Sequence, residues 1–350
     1  MKKYQRLAQQ IISQIELGVW QPGDKLPSLR EQVTSSGMSF MTVGHAYQML
    51  ESQGRIVARP QSGYYVAARP TGQQPMPPAQ VMRDEAVDIN TYIFDVLQAS
   101  RDPSVVPFAS AFPDPRLFPL QQLNRSLANV SKTATAMSVI ENLPPGNVDL
   151  RHAIARRYAQ QGMNISPDEI VITAGALEAL NLSLQAVTEP GDWVIVENPC
   201  FYGALQALER LKLKALSVAT DVREGIDLNA LAQALNDYPV KACWLMTNGQ
   251  NPLGFTLSAD KKAQLIALLA EHNVTLIEDD VYSELYYGRE KPLPAKAWDR
   301  SDMTLHCSSF SKCLVAGFRI GWVAAGKHAR RIQQLQLMST LSTSSPMQLA

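Results

Sequence analysis

One lysine set among small hydroxyl residues, with an arginine seven positions on, is the arrangement in this chain best suited to covalent chemistry. It lies in Ser308-Ser309-Phe310-Ser311-Lys312-Cys313-Leu314-Val315-Ala316-Gly317-Phe318-Arg319-Ile320-Gly321-Trp322, after an apolar, strand-like run from Met303 to Cys307. A lysine shielded from water in such a place becomes nucleophilic enough to hold an aldehyde as a Schiff base. Ser309 and Arg319 can then bind a phosphate, and together the three suggest a phosphorylated aldehyde cofactor, pyridoxal 5'-phosphate. An ordinary surface loop accounts for the same residues taken alone. Ser309-x-x-Lys312 also fits a serine acyl-enzyme motif, but that chemistry wants Ser-Asp-Asn and Lys-Thr-Gly elements. Neither occurs in the chain.

Four further stretches carry marked residues, each after an apolar run. Thr173-Ala174-Gly175-Ala176-Leu177 opens a helix, where small residues let backbone N–H groups approach a phosphate and the helix dipole favours its charge. A plain strand-to-helix turn is the alternative. In Glu197-Asn198-Pro199-Cys200-Phe201-Tyr202-Gly203 an aromatic can stack on a flat ring or simply pack in the core. Asn248-Gly249-Gln250-Asn251-Pro252-Leu253-Gly254 presents an amide on a tight turn, which can equally bond its own backbone. Glu278-Asp279-Asp280-Val281-Tyr282 stacks three acids at the end of an apolar run. A buried acid needs a partner. A protonated pyridine nitrogen would serve, and so would capping of a following helix.

The elements that must position these residues alternate regularly. Strand-length runs fall at 170–173, 193–197, 242–246, 275–278, 304–307 and 320–324, with helical patterns between most of them at 177–187, 205–211, 228–235 and 261–272. Such alternation predicts an α/β domain with a mostly parallel sheet and helices on both faces. Ligands bind such sheets beyond the carboxyl ends of the strands, where the marked residues fall in order.

The first 69 residues are different. They hold eight Lys/Arg against four acids, a net of +4, which leaves −4 for the remainder of a chain whose formal charge is zero. A basic end on an acidic body suggests that one module meets a polyanion. Leu7, Ile11 and Ile15 recur at helical spacing; Ser28 can cap a second helix and Ser39 a third, with Val43, Ala46 and Leu50 on its core side. Two extended runs, 55–59 and 64–67, flank the turn Pro60-Gln61-Ser62-Gly63. Three helices and a hairpin predict a winged helix-turn-helix whose third helix enters the DNA major groove. Ser39, Phe40, Thr42 and His45 would then face the bases and Arg30, Arg55 and Arg59 the phosphates. A small module that binds another protein is the alternative. Residues 70–78 carry four prolines and no apolar period, so 70–87 reads as a semi-stiff linker and 88–350 as the second domain.

With 46% hydrophobic and 18% charged residues, the composition is that of a soluble globular protein. Four cysteines without C-x-x-C spacing look like reduced cytosolic thiols, and five histidines form no H-x-x-x-H pair, so no metal site is expected. Gln5, Arg6, Gln9 and Gln10 interrupt any secretory core, and no apolar run has membrane-spanning length. A cytoplasmic protein follows.

Gln21-Pro22-Gly23-Asp24-Lys25-Leu26-Pro27-Ser28-Leu29-Arg30-Glu31, Thr42-Val43…Ala46-Tyr47…Leu50-Glu51…Gly54 and Arg59-Pro60…Ser62-Gly63-Tyr64-Tyr65-Val66 resemble the GntR family of bacterial regulators along its whole DNA-binding domain. Where that family often has an arginine after the serine opening the recognition helix, this chain has Phe40. From about residue 88 onward the series of marked residues resembles the fold-type I pyridoxal-phosphate enzymes of the aspartate aminotransferase family. Phe112-Pro113-Asp114…Leu117-Phe118-Pro119 and Pro145-Gly146…Leu150-Arg151…Ile154-Ala155 add to the match. The resemblance implies that Lys312 is the Schiff-base lysine and that Asp279 partners the pyridine nitrogen. It further implies that Asn251 and Tyr282 bond the ring hydroxyl and that Phe201 stacks on the ring. Gly175, Ala176, Leu177, Ser309 and Arg319 would form the phosphate cup. Two positions depart from the pattern, Glu141 where a tyrosine is usual and Glu178 where a glutamine is common. The family also continues into a small C-terminal domain, carrying the arginine for the substrate carboxylate, and this domain is expected to be missing beyond Ala350.

A GntR-type domain, a linker and an aminotransferase-like domain form the layout of the MocR subfamily. The resemblance implies a homodimeric regulator that binds paired half-sites of promoter DNA and senses pyridoxal phosphate, an amino acid or an amine. A working aminotransferase with an appended DNA-binding domain, and a cofactor-free scaffold, are the alternatives.

Overall fold

Local signals shape the first helices. In the computed structural model, which describes residues 2–60, 62–67, 90–99, 102, 106, 111–133, 135 and 143–350, helix α1 (Lys3–Glu16) turns Leu7, Ala8, Ile11 and Ile12 inward. Helix α2 (Leu29–Ser36) starts at Ser28, whose side chain accepts from the Glu31 N–H while Glu31 reaches back to the Ser28 N–H. Gly37, at φ +64°, ends it in the left-handed conformation that glycine adopts without strain. Helix α3 (Phe40–Ser52) is capped by Ser39. Strands β1 (Ile56–Arg59) and β2 (Gly63–Val66) pair antiparallel, Ile56 opposite Val66 and Arg59 opposite Gly63. Leu7, Ile11, Leu26, Val43, Tyr47, Leu50, Ile56 and Val66 close one small core. Within it the Tyr47 hydroxyl donates to the Pro27 carbonyl at 2.8 Å. These are the three helices and wing that the sequence predicts. They belong to the first of two compact units, Met1–Pro75 and Met76–Ala350. The linker expected at 70–87 lies outside the described residues, as do Arg69 and Glu141.

The second unit opens with α4 (Asn90–Ala99), α5 (Leu120–Thr133) and α6 (Val148–Gln160). The alternation follows: β3 (Ile170–Thr173), α7 (Ala176–Val187), β4 (Trp193–Asn198), α8 (Tyr202–Arg210), β5 (Lys214–Asp221), β6 (Gly225–Ile226), α9 (Leu228–Asp237), β7 (Val240–Leu245), α10 (Ala259–Glu271), β8 (Thr275–Asp279), β9 (Thr304–Ser309), β10 (Gly321–Ala324), α11 (Ala329–Ser339) and α12 (Ser345–Leu349). The eight strands stand in the order β3-β10-β9-β8-β7-β4-β5-β6. Strands β5, β4, β7, β8 and β9 run parallel, while β10 lies antiparallel between β3 and β9.

Strict alternation along each strand serves two cores. Val194, Val196, Trp244, Ile277 and Val323 face one, with α7, α8 and α11. Ile195, Cys243, Leu245 and Leu276 face another, with α9 and α10. Near the β3 edge Ile172 and Trp322 meet Ile154 and Tyr158 of α6. Helices therefore cover both faces of a mostly parallel sheet, which is why its strands read as continuous apolar runs. Strand β5 does not read that way. Its buried residues alternate as Leu216, Val218 and Thr220, with only the two-residue β6 beyond it, so no apolar run betrays it.

Candidate functional site

The carboxyl ends of β3, β4, β7, β8 and β9 lie on one edge of the sheet, and Gly321, which opens β10, pairs with Thr173 and Ser309 there. The predicted residues of the second unit converge on this edge.

The first feature is a cradle at the start of α7. Gly175 has φ +89°, and a Cβ on it would stand 2.2 Å from Arg319 Nη2; a Cβ on Gly321 would stand 2.5 Å from the Gly175 carbonyl carbon. Two glycines thus let two backbones and one guanidinium close together. Arg319, itself left-handed at φ +54°, donates from Nη2 to the Ala174 carbonyl at 3.0 Å and from Nη1 to Ser311 Oγ at 3.4 Å. Ser309 Oγ accepts from the Ser311 N–H at 3.4 Å. Gly175 supplies no capping side chain, so the helix presents its N-terminus and a cation to one spot. Such a spot takes an anion.

Lys312 stands beside it. Its ammonium donates to the Ala111 carbonyl at 2.9 Å and lies 3.8 Å from the Phe112 ring centroid and 5.5 Å from that of Tyr282. Burial lowers its pKa; Asp279 opposes that shift and Arg319 adds to it. The Phe112-Pro113-Asp114 signature therefore delivers a ring to the lysine, with the carbonyl coming from Ala111 just before it, and Asp114 caps the following turn by accepting from the Arg116 N–H. Pro145-Gly146…Arg151 has a structural role instead: the buried Arg151 donates to the Gly146 and Pro167 carbonyls and pairs with Asp168.

Asp279 is 2% exposed, and its Oδ1 is buried without a hydrogen-bond partner. Burial, helped by the charge of Asp280, pushes its pKa up to about 7; the nearby Trp244 indole, the Val281 N–H and His306 oppose this. The indole nitrogen comes close without meeting hydrogen-bond geometry and is itself unpartnered. No helix follows to be capped, because the residues after Asp280 form turns. Tyr282 is pushed up to about 12 by burial and Asp279, with the Asn251 side chain opposing. The turn-bonding amide proves to be Gln250, whose Oε1 accepts from the Leu253 N–H at 2.7 Å. Phe201 packs against the core and against Tyr202, with ring centroids 4.7 Å apart.

Two acidic groups here lie in stretches that the sequence marks without giving either a role of its own. Glu197, at the end of β4, is pushed up to about 8 by burial, while hydrogen bonds from Gln250 and the Met246 N–H pull it down and Asp279 raises it further. Asp280 belongs to a buried chain: Trp322 Nε1 donates to the Tyr158 hydroxyl at 2.9 Å, that hydroxyl meets His306 Nδ1 at 2.6 Å, and His306 Nε2 meets Asp280 Oδ2 at 2.9 Å. An indole N–H can only donate, so the Tyr158 oxygen accepts there; its own proton goes to Nδ1 in the tautomer whose Nε2–H faces the carboxylate. Asn248 Nδ2 donates to the other Asp280 oxygen at 2.8 Å, and Lys262 Nζ donates to Asn248 Oδ1 at 2.6 Å. The sequence shows Asp280 only as one of three stacked acids and His306 only as a polar residue inside an apolar strand. Its partners come from α6, β10 and the end of β8, far apart in the chain.

In the first unit Phe40 is 53% exposed at the start of α3, with Met41 and His45 also exposed. Ser39 Oγ is engaged in capping, accepting from the Thr42 N–H at 3.3 Å, and meets Thr42 Oγ1 at 2.9 Å. His45 stacks edgewise on Tyr4. Arg30 and Arg59 are exposed, Arg59 lying 4.3 Å over the Tyr65 ring, whereas Arg55 pairs with Glu16 at 3.5 Å. Among the described residues no helix is long and apolar enough to cross a membrane.

Residues 3–66 match the bacterial regulatory proteins of the gntR family, and residues 119–350 match the class I and II aminotransferases. The chain is 83% identical over 350 residues to the HTH-type transcriptional regulator YdcR of Escherichia coli, covering all of this chain and 75% of that protein. It is 37% identical over 338 residues to YjiR, an HTH-type transcriptional regulator of the same organism, covering 96% of this chain and 72% of that protein. Among solved structures, kynurenine aminotransferase of Pyrococcus horikoshii, in complex with PMP, superposes with a TM-score of 0.68 at 27% identity, covering 77% of this chain and 66% of that one.

Proposed function

The chain belongs to the GntR family of bacterial regulatory proteins, with a class I and II aminotransferase body, and from that premise we propose that it is a cytoplasmic, DNA-binding transcriptional regulator whose body binds pyridoxal 5'-phosphate at Lys312. The observation that carries the cofactor reading is the buried, unpartnered Oδ1 of Asp279, whose pKa is held near 7. A protonated pyridine nitrogen is the partner such an oxygen lacks. The cradle of Gly175, Gly321 and Arg319 fits a phosphate, since no Cβ could enter it.

Bound there, pyridoxal phosphate supplies a carbonyl for an amine and a ring that withdraws electrons. The chain's own residues do the rest. Partial burial keeps Lys312 closer to its neutral, nucleophilic form, and the Ala111 carbonyl aims its amine. Asp279 holds the proton at the ring nitrogen. Asn251 and Tyr282 would hydrogen-bond the ring hydroxyl, and Phe201 would stack on the ring. Arg319, Ser309 and the N–H groups of Ala176 and Leu177 receive the phosphate. An amino acid or amine that reacts with the loaded site would act as effector, changing how the paired DNA-binding units of a homodimer meet two half-sites. On the DNA, Phe40, Thr42 and His45 would face the bases, with Arg30 and Arg59 on phosphates.

The visible spectrum of the purified protein with pyridoxal phosphate, beside Lys312→Ala, tests the cofactor reading. A band present in the first and absent in the second is expected. No band in either would overturn it. The same residue set suffices for transamination, which half-reactions with a panel of amino acids would expose.

A further inference from the structure

The first turn of α7 carries a second claimant to its positive end. Glu178 accepts from the Ala174 N–H through Oε2 at 2.5 Å and from the Thr340 hydroxyl through Oε1 at 2.5 Å, so both carboxylate oxygens are held in place. Ala174 is also the residue whose carbonyl takes the Arg319 guanidinium at 3.0 Å. One residue is thus bracketed by an anion on its N–H and a cation on its carbonyl, at the edge of the cradle that Gly175 and Gly321 keep open. Ala174, Leu177, Glu178, Arg319 and Thr340 share the wall of a groove of about 770 Å³, so neither charge is sealed from solvent.

A helix N-terminus attracts negative charge within its first turn, and a carboxylate there draws on the same partial charges that a phosphate would use. Two anions on one turn also repel each other. We propose that Glu178 sets the affinity of the cradle for phosphate, holding it well below what Arg319 and the helix would otherwise give. The inference rests on the cofactor reading above and deepens it. A loosened grip suits a body that senses its ligand, because occupancy then follows the free concentration.

The test compares pyridoxal 5'-phosphate with pyridoxal, which lacks the phosphate, on the full chain and on Glu178→Gln. Glutamine keeps an oxygen for the Ala174 N–H and removes the charge. Pyridoxal phosphate should bind about two- to fivefold more tightly to the variant, a factor typical of one charge at a helix end, while pyridoxal binds unchanged. Equal affinities, or the same gain for pyridoxal, would overturn the proposal. Glu178→Ala, which should move the ratio in the same direction, serves if the glutamine variant does not fold. Failure of the unaltered chain to bind pyridoxal phosphate would remove the cofactor reading and this inference with it. Binding with an unchanged ratio would remove the role of Glu178 alone.

Discussion

Replacing Asp279 with asparagine should make the cofactor-free body more stable in alkaline solution while weakening its hold on pyridoxal phosphate. The carboxyl is buried with one oxygen unpartnered, and its pKa rises from 3.8 to about 7. A raised carboxyl pKa means that the folded state binds the proton more tightly than the unfolded chain. Folding is therefore favoured at low pH, and stability is lost as pH climbs through the window between 3.8 and about 7. At about 1.36 kcal/mol per unit, the ionised carboxylate costs the native state roughly 4 kcal/mol by pH 8, of which about 2–3 is lost between pH 5 and pH 8. Asparagine cannot ionise, so the difference in stability between variant and wild type should widen by about 2–3 kcal/mol over that interval. Urea titrations at the two pH values, followed by tryptophan fluorescence, read it. Four of the five tryptophans (Trp193, Trp244, Trp298 and Trp322) lie in the body, so the signal reports mainly on that unit. Parallel pH dependences would refute the reasoning about burial. Undiminished cofactor binding by the variant would refute the assignment of Asp279 to the ring nitrogen.

Tyr158→Phe removes the hydroxyl that joins Trp322 to His306 and strands two buried polar atoms. It should destabilise the body by about 2–6 kcal/mol, at about 1–3 per stranded group, in the same urea assay; a loss below half a kilocalorie would show that water takes the place of the hydroxyl. Arg59→Ala should weaken DNA binding uniformly across sequences and lower the slope of log affinity against log salt by about 1, measured by fluorescence anisotropy. An unchanged slope would place Arg59 away from the phosphates.

Much of the fold was legible because its causes are local. Ser28 and Ser39 bond N–H groups three residues ahead, Gly37 permits one backbone conformation, and both effects act within a single turn. The runs at β3, β4, β7, β8 and β9 stood out because those strands are covered by helices on both faces. Their order of marked ends followed from the rule that parallel strands put their carboxyl termini on one edge. Strand β5 was not legible, since near the edge of a sheet half its residues need not be apolar. Nor was the insertion of β10 between β3 and β9, which depends on which strands pair and not on what any one of them contains.

The site divides in the same way. Residue type and spacing alone determined Lys312, Asp279, Arg319 and the Gly175 turn as candidates, because Asp279, Lys312 and the Gly175 turn follow apolar runs and Arg319 stands seven positions after the lysine. Only the tertiary structure decided how they meet. It left Asp279 Oδ1 without a partner, closed Gly175 onto Arg319, and turned Gln250, not Asn251, to the backbone. It also joined Tyr158 to Asp280, His306 and Trp322, all more than a hundred residues further along, in one buried chain. Hydrogen-bond complementarity across such separations is set by sheet order and packing, and no local pattern records it.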